Sequence, residues 1–133
     1  MSERADIVRA SVAAYMKGDF DAMKEMASPD FELHEWPEGP DSRIYHGSEA
    51  ITEARDEWSK AWEFLDVEMT ELVEVGDRVF VAMRNTGKGR GSSIEIEMRT
   101  YAVFTIRDSR ITKIQYFANR EGAVAAAGLE DMT

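Results

Sequence analysis

Residues 31–47, FELHEWPEGPDSRIYHG, hold the side chains best able to do chemistry: both histidines of the chain, His34 and His46, one of its three tryptophans, Trp36, and the carboxylates Glu32 and Glu35. Removing a proton beside a carbonyl requires a carboxylate shielded from water by apolar neighbours, because desolvation brings such a group toward neutrality as a base. Glu35, next to Trp36, is the candidate base, with His34 as its helper. Strand alternation places Phe31, Leu33 and Glu35 on one side and Glu32, His34 and Trp36 on the other. Glu35 and His34 can therefore face one cavity only if Trp36-Pro37 introduces a kink. His46, beside Gly47 and just ahead of a helix cap, reads as a loop residue. The two histidines flank a proline-bearing loop and no helix carries paired ligands, so no metal is predicted.

The elements that must position these groups follow from periodicity. Ser2 is a candidate N-cap, with Glu3 and Asp6 in the first turn and Ala5, Val8, Val12 and Tyr15 on one face, so a helix is predicted to Lys17. Gly18 and Asp19 form a corner into a second helix bearing Phe20, Met23 and Ala27, which Pro29 should stop. Ser48 can cap a third, in which Ile51, Ala54, Trp58, Ala61 or Trp62, and Leu65 form a continuous stripe. The second half alternates as strands do. Leu65 to Val75 is one strand whose pattern breaks at Glu71 and Leu72, where a bulge is predicted. Gly76-Asp77 is a hairpin signal, RVFVAMRNT follows as a strand apolar on both faces, and GKGRGSS is a connection. From Ile94 the even positions Ile96, Met98, Ala102, Phe104 and Ile106 mark one long strand. RITKIQYFA is the last strand, and residues 121–129 form a terminal helix.

Composition bounds the rest. A chain of 133 residues fits one domain, here taken as residues 1–133. Twenty-six acidic against sixteen basic residues give a net charge of -10, which repels phosphate backbones and anionic membrane surfaces, so neither nucleic acid nor membrane is an expected partner. The absence of cysteine removes thiolate chemistry and disulfides, and with no long apolar segment at the start a cytoplasmic location is predicted. An α+β fold follows, with helices gathered on the concave face of a curved antiparallel sheet and a cup between them.

In this order, KGDFDAMKEMASPDFELHEWP, YHGSEAI, EVGDRVFV, GRGSS with the long strand after it, and REGAVAAAGL make the chain resemble a SnoaL-like domain. Such domains belong to the nuclear transport factor 2-like superfamily, the cone-shaped fold of polyketide cyclases and ketosteroid isomerases. The resemblance covers residues 5–129. It implies a hydrophobic small-molecule ligand, cofactor-independent proton transfer, and a homodimer with sheets back to back. The position matching Glu35 carries the proton-moving carboxylate in the isomerases, and their oxyanion-binding tyrosine falls near Ser11, one turn before Tyr15. Their second acid falls where this chain has Thr100, Tyr101 and Ala102. Tyr116, Arg84 and Arg99 are left as possible donors, with Tyr116 the candidate beside Glu35 and His34. Tyr15, Trp36, Trp58 and Trp62 would line the cup from the helices and loop, and Met98, Ala102, Phe104 and Ile114 from the sheet. Two functions stay open: a cyclase or isomerase acting on a hydrophobic carbonyl compound, or a non-catalytic binding or accessory domain. The strand 78–86 with Tyr101, Val103 and Phe117 presents an apolar face that a dimer partner would cover.

Overall fold

The computed structural model describes residues 3–35, 43–47 and 49–128, with the backbone alone of Trp58 and Ser59. Within them, α1 (Glu3–Lys17) and α2 (Phe20–Met26) precede β1 (Ala27–His34) and β2 (Ile44–His46). Then come α3 (Ala50–Ala61), β3 (Trp62–Val75), β4 (Arg78–Gly89), β5 (Glu95–Arg107), β6 (Arg110–Phe117) and α4 (Arg120–Ala127).

The punctuation is chemical. Gly18 takes φ +74°, which only glycine adopts without strain, and turns the chain out of α1. Asp19 then caps α2, its Oδ1 accepting from the Ala22 N–H at 3.2 Å. The predicted caps Ser2 and Ser48, and Leu129 at the end of the terminal helix, lie outside the described residues. Helix α2 does not wait for Pro29: Ala27 is already extended, and the proline sits inside β1. It falls between Ala27 and Glu32, where the pairing with β6 is irregular, so its missing N–H leaves the regular ladder intact.

Two further boundaries differ from the periodicity. The stripe assigned to α3 ends at Ala61, and Trp62 is extended, so Trp62 and Leu65 belong to β3. Likewise β4 continues through Gly87, Lys88 and Gly89 instead of breaking into a connection. The predicted bulge is present as a register shift between Met69 and Glu71.

All six strands form one sheet in the order β2-β1-β6-β5-β4-β3. β1 runs parallel to β6, and the other pairs are antiparallel. The sheet is curved and unclosed. Helices α1, α2 and α3 cover its inner face, where Val8, Phe31, Leu33, Ile51, Val81, Ala102, Phe104 and Ile114 make the main core. Helix α4 packs on the opposite, outer face. Ala123, Val124 and Ala127 seal Phe80, Ala82, Val103 and Phe117 there. Arg120 adds a bidentate pair to Glu71, at 2.8 and 2.9 Å, and lies 5.1 Å from the Phe80 ring centroid. The apolar patch assigned to a dimer partner is therefore covered by the chain's own last helix. At the other end Ile94 and Ile96 are exposed, so the apolar even positions of β5 extend past the helices that would bury them.

Candidate functional site

Glu35 leaves β1 on the side of Phe31 and Leu33 and is held by the neighbouring strand. Its backbone N–H donates to the Arg43 carbonyl at 2.9 Å, and its Oε1 accepts from the Arg43 N–H at 3.1 Å. Its Oε2 faces the Tyr45 hydroxyl at 3.5 Å. Tyr45 is buried, and burial first, then the Glu35 charge, raises its pKa, so the hydroxyl keeps its proton and donates. The register His34↔Gln115, continued by one residue, brings Glu35 level with Tyr116 of β6.

His34 lies on the other side of β1. Its Nε2 is 2.8 Å from Glu32 Oε1, and His46 Nδ1 is 3.9 Å from Glu32 Oε2. Strand alternation continues unkinked through His34, so the two residues predicted to act together are split between the faces. The His34 hydrogen bond foremost holds Glu32 below the usual carboxylate range; burial opposes it as the next-largest effect, and the positive charges of His34, His46 and Lys113 add to the lowering. No group of three His, Asp or Glu among the described residues is arranged to hold a metal ion.

The remaining predicted residues divide by depth. Ala102, Phe104 and Ile114 are buried in the main core of the inner face. Met98 and Trp62 are half-buried nearer the open end of the sheet, where Gly87 lets the Trp62 ring and Leu65 lie directly on β4. Trp36 and the Trp58 side chain lie outside the described residues. Tyr116, opposite Ala102, has its pKa raised first by burial and then by the nearby Tyr15. Tyr15 is raised as well, by burial, with Arg55 opposing. Both phenols thus stay protonated and can donate to a carbonyl oxygen. Tyr15 is further fixed edge-on to Phe20, with centroids 6.2 Å apart, and Arg55 stands 4.6 Å above the Phe20 ring.

Sequence reasoning passed over Asn85 and Thr100 as site residues. Both are buried on the inner face, and Asn85 Nδ2 donates to Thr100 Oγ1 at 2.7 Å. The available signal was parity: Val79, Val81, Met83 and Asn85 share one side of β4, and an asparagine ending that apolar series needs a reason. On the outer face a depression of about 500 Å³ is lined by Asp66, Glu68, Arg84, Thr86 and Glu97. Arg84 spans it, 2.8 Å from Glu68 and 3.5 Å from Glu97.

A curved α+β sheet wrapped over three helices, with neutral hydrogen-bonding groups on its inner face, defines the cone-shaped nuclear transport factor 2-like class. The SnoaL-like domain model matches residues 8–114, and the chain belongs to that family. Among solved structures it is similar to a nuclear transport factor 2-like protein from Burkholderia pseudomallei at 15% identity, with 96% and 98% of the two chains covered and a TM-score of 0.82. It is also similar to TerC, co-crystallised with polyporic acid, at 20% identity, 95% and 98% coverage and a TM-score of 0.80. A putative SnoaL-like polyketide cyclase from Jannaschia is 20% identical over 96% and 92% of the chains, with a TM-score of 0.76. At these identities the likeness establishes the fold. No curated protein matches the sequence significantly.

Proposed function

We propose that the inner face of this sheet binds a hydrophobic carbonyl compound and moves a proton on it without a cofactor, in the manner of a cyclase or isomerase. The observation that carries this reading is the state of Tyr116. Its hydroxyl is surrounded by enough protein to raise its pKa, yet the residue retains accessible surface, as a side chain lining an internal hollow does. Tyr116, with Tyr15 beside it, donates to the ligand carbonyl and supports the negative charge that develops on that oxygen as a neighbouring C–H is lost. Glu35, level with Tyr116 at the end of β1, is the base. That TerC was crystallised with a small molecule in the same fold agrees with this use of the cup.

The second reading, a non-catalytic binder, is favoured by one observation. Both Glu35 oxygens already face β2 partners, Arg43 N–H and the Tyr45 hydroxyl, which is how a structural clasp is built. Mass spectrometry of the compound that copurifies, followed by turnover with Glu35→Gln and Tyr116→Phe, separates the two. Loss of roughly 100-fold or more in turnover in Glu35→Gln, with binding retained, is the catalytic outcome. Full activity in that variant leaves the binder. A sheet-to-sheet homodimer belongs to this proposal only in polar form, through the Glu68, Arg84 and Glu97 region, since the apolar half is covered. A single monomer boundary in sedimentation at micromolar concentration ends it. Acidic and free of cysteine, the chain suits the reducing cytoplasm.

A further inference from the structure

Asn85 is an inner-face polar side chain with an acceptor left over among the described residues. It is only 6% exposed and stands opposite Val67 of β3 and Met98 of β5. Its amide nitrogen donates to Thr100 Oγ1 at 2.7 Å and to the Met98 carbonyl at 3.5 Å. A carbonyl can only accept, so the Met98 contact agrees with Nδ2 on this side of the amide. Oδ1 points the other way, and among the described residues no donor meets it. Nor is it sealed: the fully enclosed side-chain oxygens without a partner among the described residues are those of Thr52 and Thr105. Asn85 Oδ1 is therefore an unmet acceptor that is not fully enclosed, and a donor there is favoured.

We propose that Asn85 is a ligand-reading residue, its Oδ1 accepting a hydrogen bond from a hydroxyl of the bound compound. The natural ligand is then a hydroxylated carbonyl compound, an enol or phenol, and not a simple ketone; this rests on the ligand-holding cup proposed above. The donor is a neutral O–H and not an ammonium, because the buried polar side chains at this level of the inner face, Asn85 and Thr100, are neutral, and the Glu35 carboxylate belongs to the other level, that of Tyr116. The layout gives the compound a size. Asn85 pairs with Met98 and Tyr116 with Ala102, four residues apart along β5, or about 13 Å at 3.3 Å per residue, and β4 and β6 flank β5, which adds about 10 Å across the strands. Protonated phenols at one corner and an acceptor at the other suit an elongated flat molecule, with its carbonyl toward Tyr116 and its hydroxyl toward Asn85.

The test uses the full chain and two matched probes, 2-naphthol and 2-methoxynaphthalene, titrated by calorimetry against the wild type, Asn85→Leu and Asn85→Ala. The wild type is expected to bind the naphthol ~10-fold more tightly than the ether. Asn85→Leu should bring that ratio to about one while keeping affinity for the ether. Should the leucine variant fail to fold, Asn85→Ala, which adds no bulk, must show the same loss of preference. Equal binding of both probes by the wild type overturns the acceptor and leaves the cup reading standing. A preference that survives in the variants shows that Asn85 only ties β4 to β5, and also overturns it. If neither probe binds the wild type, the cup reading fails and the inference fails with it.

Discussion

The two sides of β4 and β5 are built from alternate residues of the same strands, yet they are finished differently. On the outer side the apolar residues Phe80, Ala82, Val103 and Phe117 are covered by α4, and Arg84 is clasped by Glu68 and Glu97. These named groups have their partners within the chain. On the inner side the core is dense around Phe31, Val81, Ala102 and Phe104, but Tyr15 and Tyr116 keep accessible surface, and Asn85 keeps an acceptor. Charge also separates the two. The described outer face carries Glu32, His34, Glu68, Arg84 and Glu97, while the buried polar groups of the inner face are neutral. The named outer-face ion pairs hold the fold, while on the inner face the acceptor of Asn85 is left over among the described residues.

The strongest way to break the outer side is Phe80→Ala. The ring is 0% exposed between the sheet and α4, and removing it leaves a cavity that should cost about 3–5 kcal/mol in urea unfolding. Probe affinity of the folded fraction should not change. A cost under about 1 kcal/mol would mean that α4 does not seal this face in solution. A smaller effect is expected from Gly87→Ala at the open end of the inner side. Its added Cβ would stand 2.8 Å from Leu65 Cδ1 and 3.0 Å from both the Phe64 carbonyl oxygen and Trp62 Cε3. The side chains can move but the carbonyl cannot, so a loss of about 1–3 kcal/mol is expected. Here ligand affinity should change too, because Trp62 is displaced from β4; unchanged affinity would remove Trp62 from the lining.

How far the sequence reveals this contrast depends on the residue. The end of α1, the Gly76-Asp77 hairpin and the bulge before Glu71 are local features, and turn chemistry with strand alternation is enough to read them. Trp62 misleads because Trp58, Trp62 and Leu65 satisfy the helical period across the point where the backbone becomes extended. Gly87 and Gly89 look like a linker, since composition cannot show that a missing Cβ is needed for ring-on-strand packing. The apolar patch on β4 and β5 was legible, but its cover was not, because the choice between α4 and a second chain is a tertiary matter. At the site, alternation correctly separates Glu35 from His34. The hydrogen bonds that bind Glu35 to β2 cross a loop whose path no local pattern sets.

The smallest expected effect concerns Glu32, which tests whether the two sides are independent. The groups around it are His34 on its own strand, His46 on β2 and Lys113 on β6. Its pKa is depressed in the folded state below the ordinary carboxylate value of 4.5, with the His34 hydrogen bond as the leading cause. A depressed carboxylate contributes stability above its unfolded pKa and loses it as pH falls through the folded one. The Glu32 contribution should therefore be complete at pH 6 and disappear progressively below pH 4.5. With 41% of the side chain exposed, water screens most of it, so Glu32→Gln should cost only about 0.5 kcal/mol in urea unfolding at pH 6. The difference from the wild type should vanish at the acid end. Added salt should reduce it further. Inner-face probe affinity should be the same in both proteins, because Glu32 and the Leu33 side chain that contributes to the inner core leave β1 in opposite directions. A change in that affinity would show that the Glu32 cluster sets the position of Glu35 through β1, joining two faces that otherwise act separately.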